Sequence, residues 1–127
     1  MSVLIAEYDS RLRRLYELTF RKWSLPLDLR LVDNGFDALI EIGRQTPQVL
    51  IVDLDVPGLD GFEMFARFES ATLATIDKVV VVIRLDPWYI KAKGELPNRV
   101  RLFVKPVPFK DLRSEIDSLI GSLALSP

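Results

Sequence analysis

The chain has no cysteine and no histidine among its 127 residues. Without cysteine there is no disulfide, no thiolate nucleophile and no zinc–thiolate site, as suits a reducing cytoplasm. Without histidine, a Ser-His-Asp triad, a histidine-ligated metallohydrolase and imidazole acid–base chemistry are excluded. An excess of one charge is lacking too, since 17 basic residues stand against 18 acidic ones for a net charge of −1. That balance offers no electrostatic footprint for nucleic acid or an anionic membrane surface. No apolar run approaches the ~20 residues of a membrane span. The opening "MSVLIAEYD" meets an acid too early for a signal peptide. Chemistry must therefore come from carboxylates, lysine, arginine, tyrosine or hydroxyls.

What is present is a chain with 49% hydrophobic residues, enough for one core and one domain spanning residues 1–127. Five short apolar runs alternate with helix-like stretches. "SVLIAE" reads as a strand ending at Glu7. Asp9 or Ser10 then caps a helix toward Lys22, with Leu12, Leu15, Leu18 and Thr19 at helical spacing. "LPLDLRLV" alternates with period two, the pattern of a half-buried edge strand. "DNG" turns into a helix with Phe36, Leu39, Ile40 and Ile42 as its apolar residues. "QVLIVDLD" is continuous and apolar up to Asp53, before a Pro57-Gly58 turn. Residues 61–70 follow as a helix with Phe62, Phe65 and Phe68 inward. "KVVVVIRL" and "RVRLFV" are the fourth and fifth strands. The closing helix points Leu112, Ile116, Leu119, Ile120 and Leu123 inward.

Continuous β-branched strands alternating with helices predict a parallel α/β sheet with helices on both faces, doubly wound by the right-handed crossover rule. Ligands of such sheets bind outside the carboxyl ends of the strands. The residues there are Glu7, Tyr8, Asp53, Arg84 and Lys105. For any one of them, a charge appearing where a strand surfaces is the ordinary explanation. Two acids and two bases at four strand tips favour a shared site.

Three segments are familiar. "PQVLIVDLDVPGLDGFEMF" resembles the phosphoacceptor segment of bacterial response-regulator receiver domains. "FVKPVPFKDL" resembles their Lys-Pro segment and "VLIAEYDSRLRRL" their acidic opening. The resemblance covers essentially the whole chain and implies a flavodoxin-like five-stranded sheet in the order 2-1-3-4-5. It implies that Asp53 is in the phosphoacceptor position and that Lys105 contacts the phosphoryl group, with a cis proline, Pro106, after it. Glu7 matches one member of the acidic pair that holds Mg²⁺, and Asp55 would add a backbone carbonyl to the metal.

Elsewhere the chain departs from that family. Tyr8 replaces the second acid of the pair. Arg84 replaces the fourth-strand hydroxyl that bonds phosphoryl oxygens, and Leu85 follows where a small residue leaves room for phosphate. Leu102 replaces the switch aromatic of the fifth strand, and Phe103 lies on the opposite face. Three placements are open to Arg84. It can fork onto Asp53 and Glu7, standing in for the metal. It can extend to solvent, or it can stabilise a transferring phosphoryl group. The charge count favours the first, because two carboxylates against two cations leave nothing for Mg²⁺ to cancel. No cofactor is then expected, and any Mg²⁺ is held weakly.

The expected function is thus an atypical receiver acting as a protein-interaction module in two-component signalling, with phosphorylation-driven switching weakened or lost and no enzymatic activity. The alternative is an Asp53-phosphorylated receiver in a phosphorelay with an altered switch. A reading from another class is a haloacid-dehalogenase-like phosphatase, with Asp53 as nucleophile and Asp55 as acid/base, since "VLIVDLDV" fits that family's motif. Its layout argues against it, because two strands precede the motif and Lys105 stands where an acid should be. Expected partners are a histidine kinase, an output protein or another receiver, with self-association as a further expectation. Trp88, Tyr89, Lys93 and Arg101 are the candidate docking residues, on the face receivers commonly use. Trp88 and Tyr89 can equally fill core space under a shortened fourth helix. No output domain follows "LIGSLALSP", so the protein either acts alone or is one domain of a longer chain.

Overall fold

A computed structural model describes residues 1–54, 75–84 and 100–125, the last without its side chain. The helix expected at 61–70, the turn at 57–58, and Asp55, Leu85, Trp88, Tyr89 and Lys93 lie outside the described residues.

Three apolar runs become central strands because both of their faces are covered. β1 (Ser2–Ala6) and β3 (Val49–Asp53) are buried along their whole length, and β4 (Lys78–Ile83) is buried after its first residue. β2 (Asp28–Val32) and β5 (Arg101–Val104) are only partly buried, and they form the edges. The five strands pair in parallel in the order β2-β1-β3-β4-β5, so the chain has the flavodoxin-like α/β fold. The period-two pattern of the second run did mark an edge strand.

Two apolar layers fill the faces. Tyr16 and Phe20 of α1 (Ser10–Lys22) and Leu112 and Ile116 of α3 (Phe109–Leu125) pack on Val3, Ile5, Ile51, Val80, Val82 and Phe103. Ala38 and Ile42 of α2 (Gly35–Arg44) pack on the opposite face, against Leu4, Ala6, Leu50 and Val52. The Asp9 carboxylate caps α1 by accepting from the Arg11 amide at 2.8 Å. The Asn34 side chain caps α2 by accepting from the Asp37 amide at 2.8 Å.

The helix faces differ from expectation in detail. On α1, Tyr16 and Phe20 turn inward while Leu15 and Leu18 stay exposed. The rings bury more area than the leucines, and Tyr16 meets Phe20 and Phe109 edge to face. On α2, Phe36 and Ile40 are 55% and 58% exposed. At ~100° per residue each lies about 200° from Ala38, so the stripe that buries Ala38 and Ile42 must turn both outward. Leu123 is likewise exposed, whereas Leu112 and Ile116 are fully buried.

Candidate functional site

Adjacent parallel strands end at one edge of the sheet, so residues far apart in sequence meet there. Glu7 directly follows β1, Asp53 ends β3, Arg84 directly follows β4 and Lys105 directly follows β5. Glu7 and Asp53 are 2% and 4% exposed, the two buried carboxylates among the described residues. Lys105 reaches both, with Nζ 2.7 Å from Asp53 Oδ2 and 2.9 Å from Glu7 Oε1. The lysine's own amide donates to the Ile83 carbonyl at 2.7 Å, which ties its backbone to β4. The Lys105–Pro106 bond is cis, as the resemblance implied.

The two contacts of Nζ are not equivalent. It hydrogen-bonds Asp53, whereas Glu7 Oε1 lies within ion-pair distance but has no donor directed at it. Glu7 Oε2 accepts from the Asp9 amide at 3.1 Å. One oxygen of a buried carboxylate is thus left with charge compensation but no hydrogen bond.

Arg84 does not fork onto the acids. Its side chain is exposed, and among the described residues no carboxylate lies in ion-pair distance of it. This corrects the expectation that the guanidinium stands in for the metal. Lys105 already occupies the space between the acids, and a guanidinium left in water avoids a desolvation cost of several kcal/mol. Among the described residues the pocket therefore holds two carboxylates against one cation. Tyr8, at 64% exposure, takes no part in it. Among the described residues no group of three or more potential metal ligands comes together. Leu102 and Phe103 do face opposite layers of the core, as strand alternation requires.

A residue that sequence reasoning passed over is Arg13. Its Nη1 donates to the carbonyls of Glu7 at 2.8 Å and Tyr8 at 2.6 Å, pinning the loop that carries Glu7 to the first turns of α1. In the sequence it is one of three arginines in four residues, and only the path of the loop singles it out.

Burial raises the Glu7 pKa above the ordinary glutamate range; Lys105 opposes this and the nearby Asp53 charge adds to it. Burial lowers that of Lys105, but the two carboxylates outweigh it and the net direction is upward. Because folded Glu7 holds its proton more tightly than unfolded Glu7, its ionisation destabilises the fold. Its contribution to stability is full below the ordinary glutamate pKa and falls as pH rises through the raised value. Urea unfolding across pH ~4 to ~7 should show this loss, and Glu7→Gln should abolish it. An unchanged slope in the variant would assign the titration to another group.

The arrangement is an aspartate at a strand tip, an ammonium against it and a second acid beside it, on a 2-1-3-4-5 sheet. Residues 3–117 match the family model of the response regulator receiver domain. The chain therefore belongs to the response-regulator receiver family. It is 25% identical to Protein PilG of Pseudomonas aeruginosa over 122 residues, 96% of this chain and 89% of that one. Its fold is similar to the receiver domain of a signal transduction histidine kinase from Syntrophus aciditrophicus. The TM-score is 0.80 at 20% identity, covering 99% of this chain and 94% of the other. It is also similar to the receiver domain of the sensor histidine kinase PA1611 from Pseudomonas aeruginosa, whose active-site cleft coordinates a magnesium ion. There the TM-score is 0.74 at 19% identity, covering 94% and 97% of the chains.

Proposed function

We propose that this receiver domain works mainly as a protein-docking module in two-component signalling, with phosphorylation-driven switching weakened. The observation that carries the reading is Arg84, an exposed cation in the place that matches the family's fourth-strand hydroxyl. A short hydroxyl bonded to phosphate draws the following loop inward. An arginine that reaches into solvent exerts no such pull. Leu102, partly buried and aliphatic, supplies no ring to rotate at the far surface. Of the candidate docking residues, Arg101 is described: it is exposed, lies over the Phe103 ring and pairs with Glu115 at 3.2 Å. A histidine kinase, an output protein or another receiver is the class of partner, and the cytoplasm is the compartment in which they would meet.

Mg²⁺ would be held by Glu7 and Asp53, and when bound it would neutralise phosphate charge. The undonated Glu7 Oε1 fits such a ligand. With Lys105 in place the described residues of the pocket carry one net negative charge, so a divalent ion leaves them positive. Binding is then weak until phosphate oxygens add to the ligand set.

A second reading is favoured by the 2.7 Å contact of Lys105 with Asp53. That contact leaves the acceptor pair complete, so Asp53 can take a phosphoryl group even where the switch is altered. Incubation with Mg²⁺ and acetyl phosphate or beryllofluoride, followed by mass measurement and tryptophan emission, separates the two. Weakened switching predicts little or no adduct and flat emission. An adduct that is lost in Asp53→Asn and accompanied by an emission change would replace the first reading with the second.

A further inference from the structure

The chain leaves β1 at Glu7, whose amide still donates to the Val32 carbonyl of β2 at 3.0 Å. Past that point the carbonyls of residues 7–9 lie outside the strand pairing and need other partners. Arg13 supplies them. Its Nη1 donates to the Glu7 carbonyl at 2.8 Å and the Tyr8 carbonyl at 2.6 Å. Its amide donates to the Asp9 carbonyl at 2.9 Å, so one residue holds all three carbonyls of the loop. Arg14 and Arg21 of the same helix pair with Glu17 instead, whereas the Arg13 guanidinium pairs with no carboxylate among the described residues. Held this way, the loop brings the Asp9 amide back onto Glu7 Oε2 at 3.1 Å. That bond leaves Oε1, the buried oxygen with no donor, on the side of Lys105 at 2.9 Å. Lys105 does not fix this orientation itself, because its ammonium is hydrogen-bonded to Asp53 and gives Glu7 only charge.

We infer that Arg13 is a positioning residue of this pocket: by holding the carbonyls of residues 7–9 it aims the Glu7 carboxylate and leaves Oε1 open to a divalent cation. The inference rests on the reading of Glu7 as a Mg²⁺ ligand. Glu7 is the one side chain of the loop inside the pocket, since Tyr8 is 64% exposed and the Asp9 carboxylate caps α1. No neighbouring ligand on the loop can therefore compensate for a misplaced Glu7. Positioning also has a sign that separates it from charge. A guanidinium near two carboxylates competes with a divalent ion through space, so its charge by itself lowers the ion's affinity. A guanidinium that keeps the ligand aimed raises that affinity, because a carboxylate already in place loses less freedom on coordination. Positioning and charge thus predict opposite outcomes when the guanidinium is removed.

Three variants test it. Arg13→Met keeps the stem and removes the donors, and Arg13→Lys keeps the charge and one donating nitrogen. Arg11→Met removes an exposed cation of the same helix whose side chain holds no loop carbonyl. Amide hydrogen exchange followed by NMR reads the loop without any metal. In Arg13→Met the Asp9 amide should exchange roughly tenfold faster relative to Leu4 and Ile5 of β1, which report global opening. Arg13→Lys should recover most of that protection, and Arg11→Met should leave it as in the wild type. Titration calorimetry with Mg²⁺ should show affinity falling roughly tenfold in Arg13→Met and by less than about threefold in Arg13→Lys. An Asp9 amide that changes only in step with the β1 amides would make Arg13 a stabiliser of the fold and overturn the inference. So would an Mg²⁺ affinity that holds or rises in Arg13→Met, as loss of a cation alone predicts. A wild type that takes up no Mg²⁺ overturns a different statement, that Glu7 is a metal ligand. The exchange of Asp9 then decides by itself whether Arg13 aims the carboxylate.

Discussion

Lys105→Met is expected to cost about 3 kcal/mol of folding stability near neutral pH, the low end of what removing one partner from a buried ion pair costs. That is roughly a 150-fold change in the folding equilibrium. The ammonium holds two carboxylates that are almost wholly out of water, at 2.7 and 2.9 Å. Methionine keeps much of the lysine stem and its packing but supplies no charge. The two acids then repel each other in a low-dielectric pocket, and the easiest relief is for Glu7, whose pKa already lies high, to take a proton. The loss should accordingly shrink in mild acid, and it should be smaller when Lys105→Met is made on top of Glu7→Gln. Urea denaturation of the four proteins at two pH values measures both effects. A loss under ~0.5 kcal/mol, the scale of an ordinary surface substitution, would show that the ion pairs are not coupled to the fold.

Tyr8→Asp is expected to raise Mg²⁺ affinity about tenfold, whereas Arg84→Ala should change it less than about twofold. Tyr8 occupies the position next to Glu7, and its phenol is turned to solvent. A carboxylate there brings the described residues of the pocket from one net negative charge to two, the charge of opposite sign to a divalent ion. Arg84 neither touches the acids nor stands between them, so its removal vacates no ligand position. Its exposed charge acts on the ion only through screened solvent. Titration calorimetry of the single variants distinguishes the effects. A large gain on Arg84→Ala alone would put the guanidinium back in competition with the metal and undo the assignment made from its exposure.

Much of the architecture was legible because it follows from local pattern. The all-apolar runs ending at Asp53 and Ile83 mark strands covered on both faces, and the alternation in "LPLDLRLV" marks an edge. Asp9 and Asn34 announce helix starts through the chemistry of their side chains. Helix faces were less legible. Phe36 and Ile40 count as core residues by hydropathy, yet Ala38 fixes the rotation of α2, because a small side chain facing the sheet lets that helix approach it. Leu15 and Leu18 lost their places to Tyr16 and Phe20 for a related reason: the ring with most area to bury takes the inward position.

By itself the sequence determined which groups stand at the strand tips, since strand length and parallel order bring Glu7, Asp53, Arg84 and Lys105 to one edge of the sheet. It did not determine which cation would enter the pocket. On charge alone Arg84 and Lys105 are equivalent, and the arginine is the better fork for two carboxylates. The tertiary structure decided for Lys105, whose backbone is tied to β4 and whose slim stem carries one ammonium between both acids. It left the guanidinium in water, where a cation that is not needed for neutralisation has its lowest free energy. Pairing of that kind depends on distances between strands, and no one-dimensional pattern encodes those.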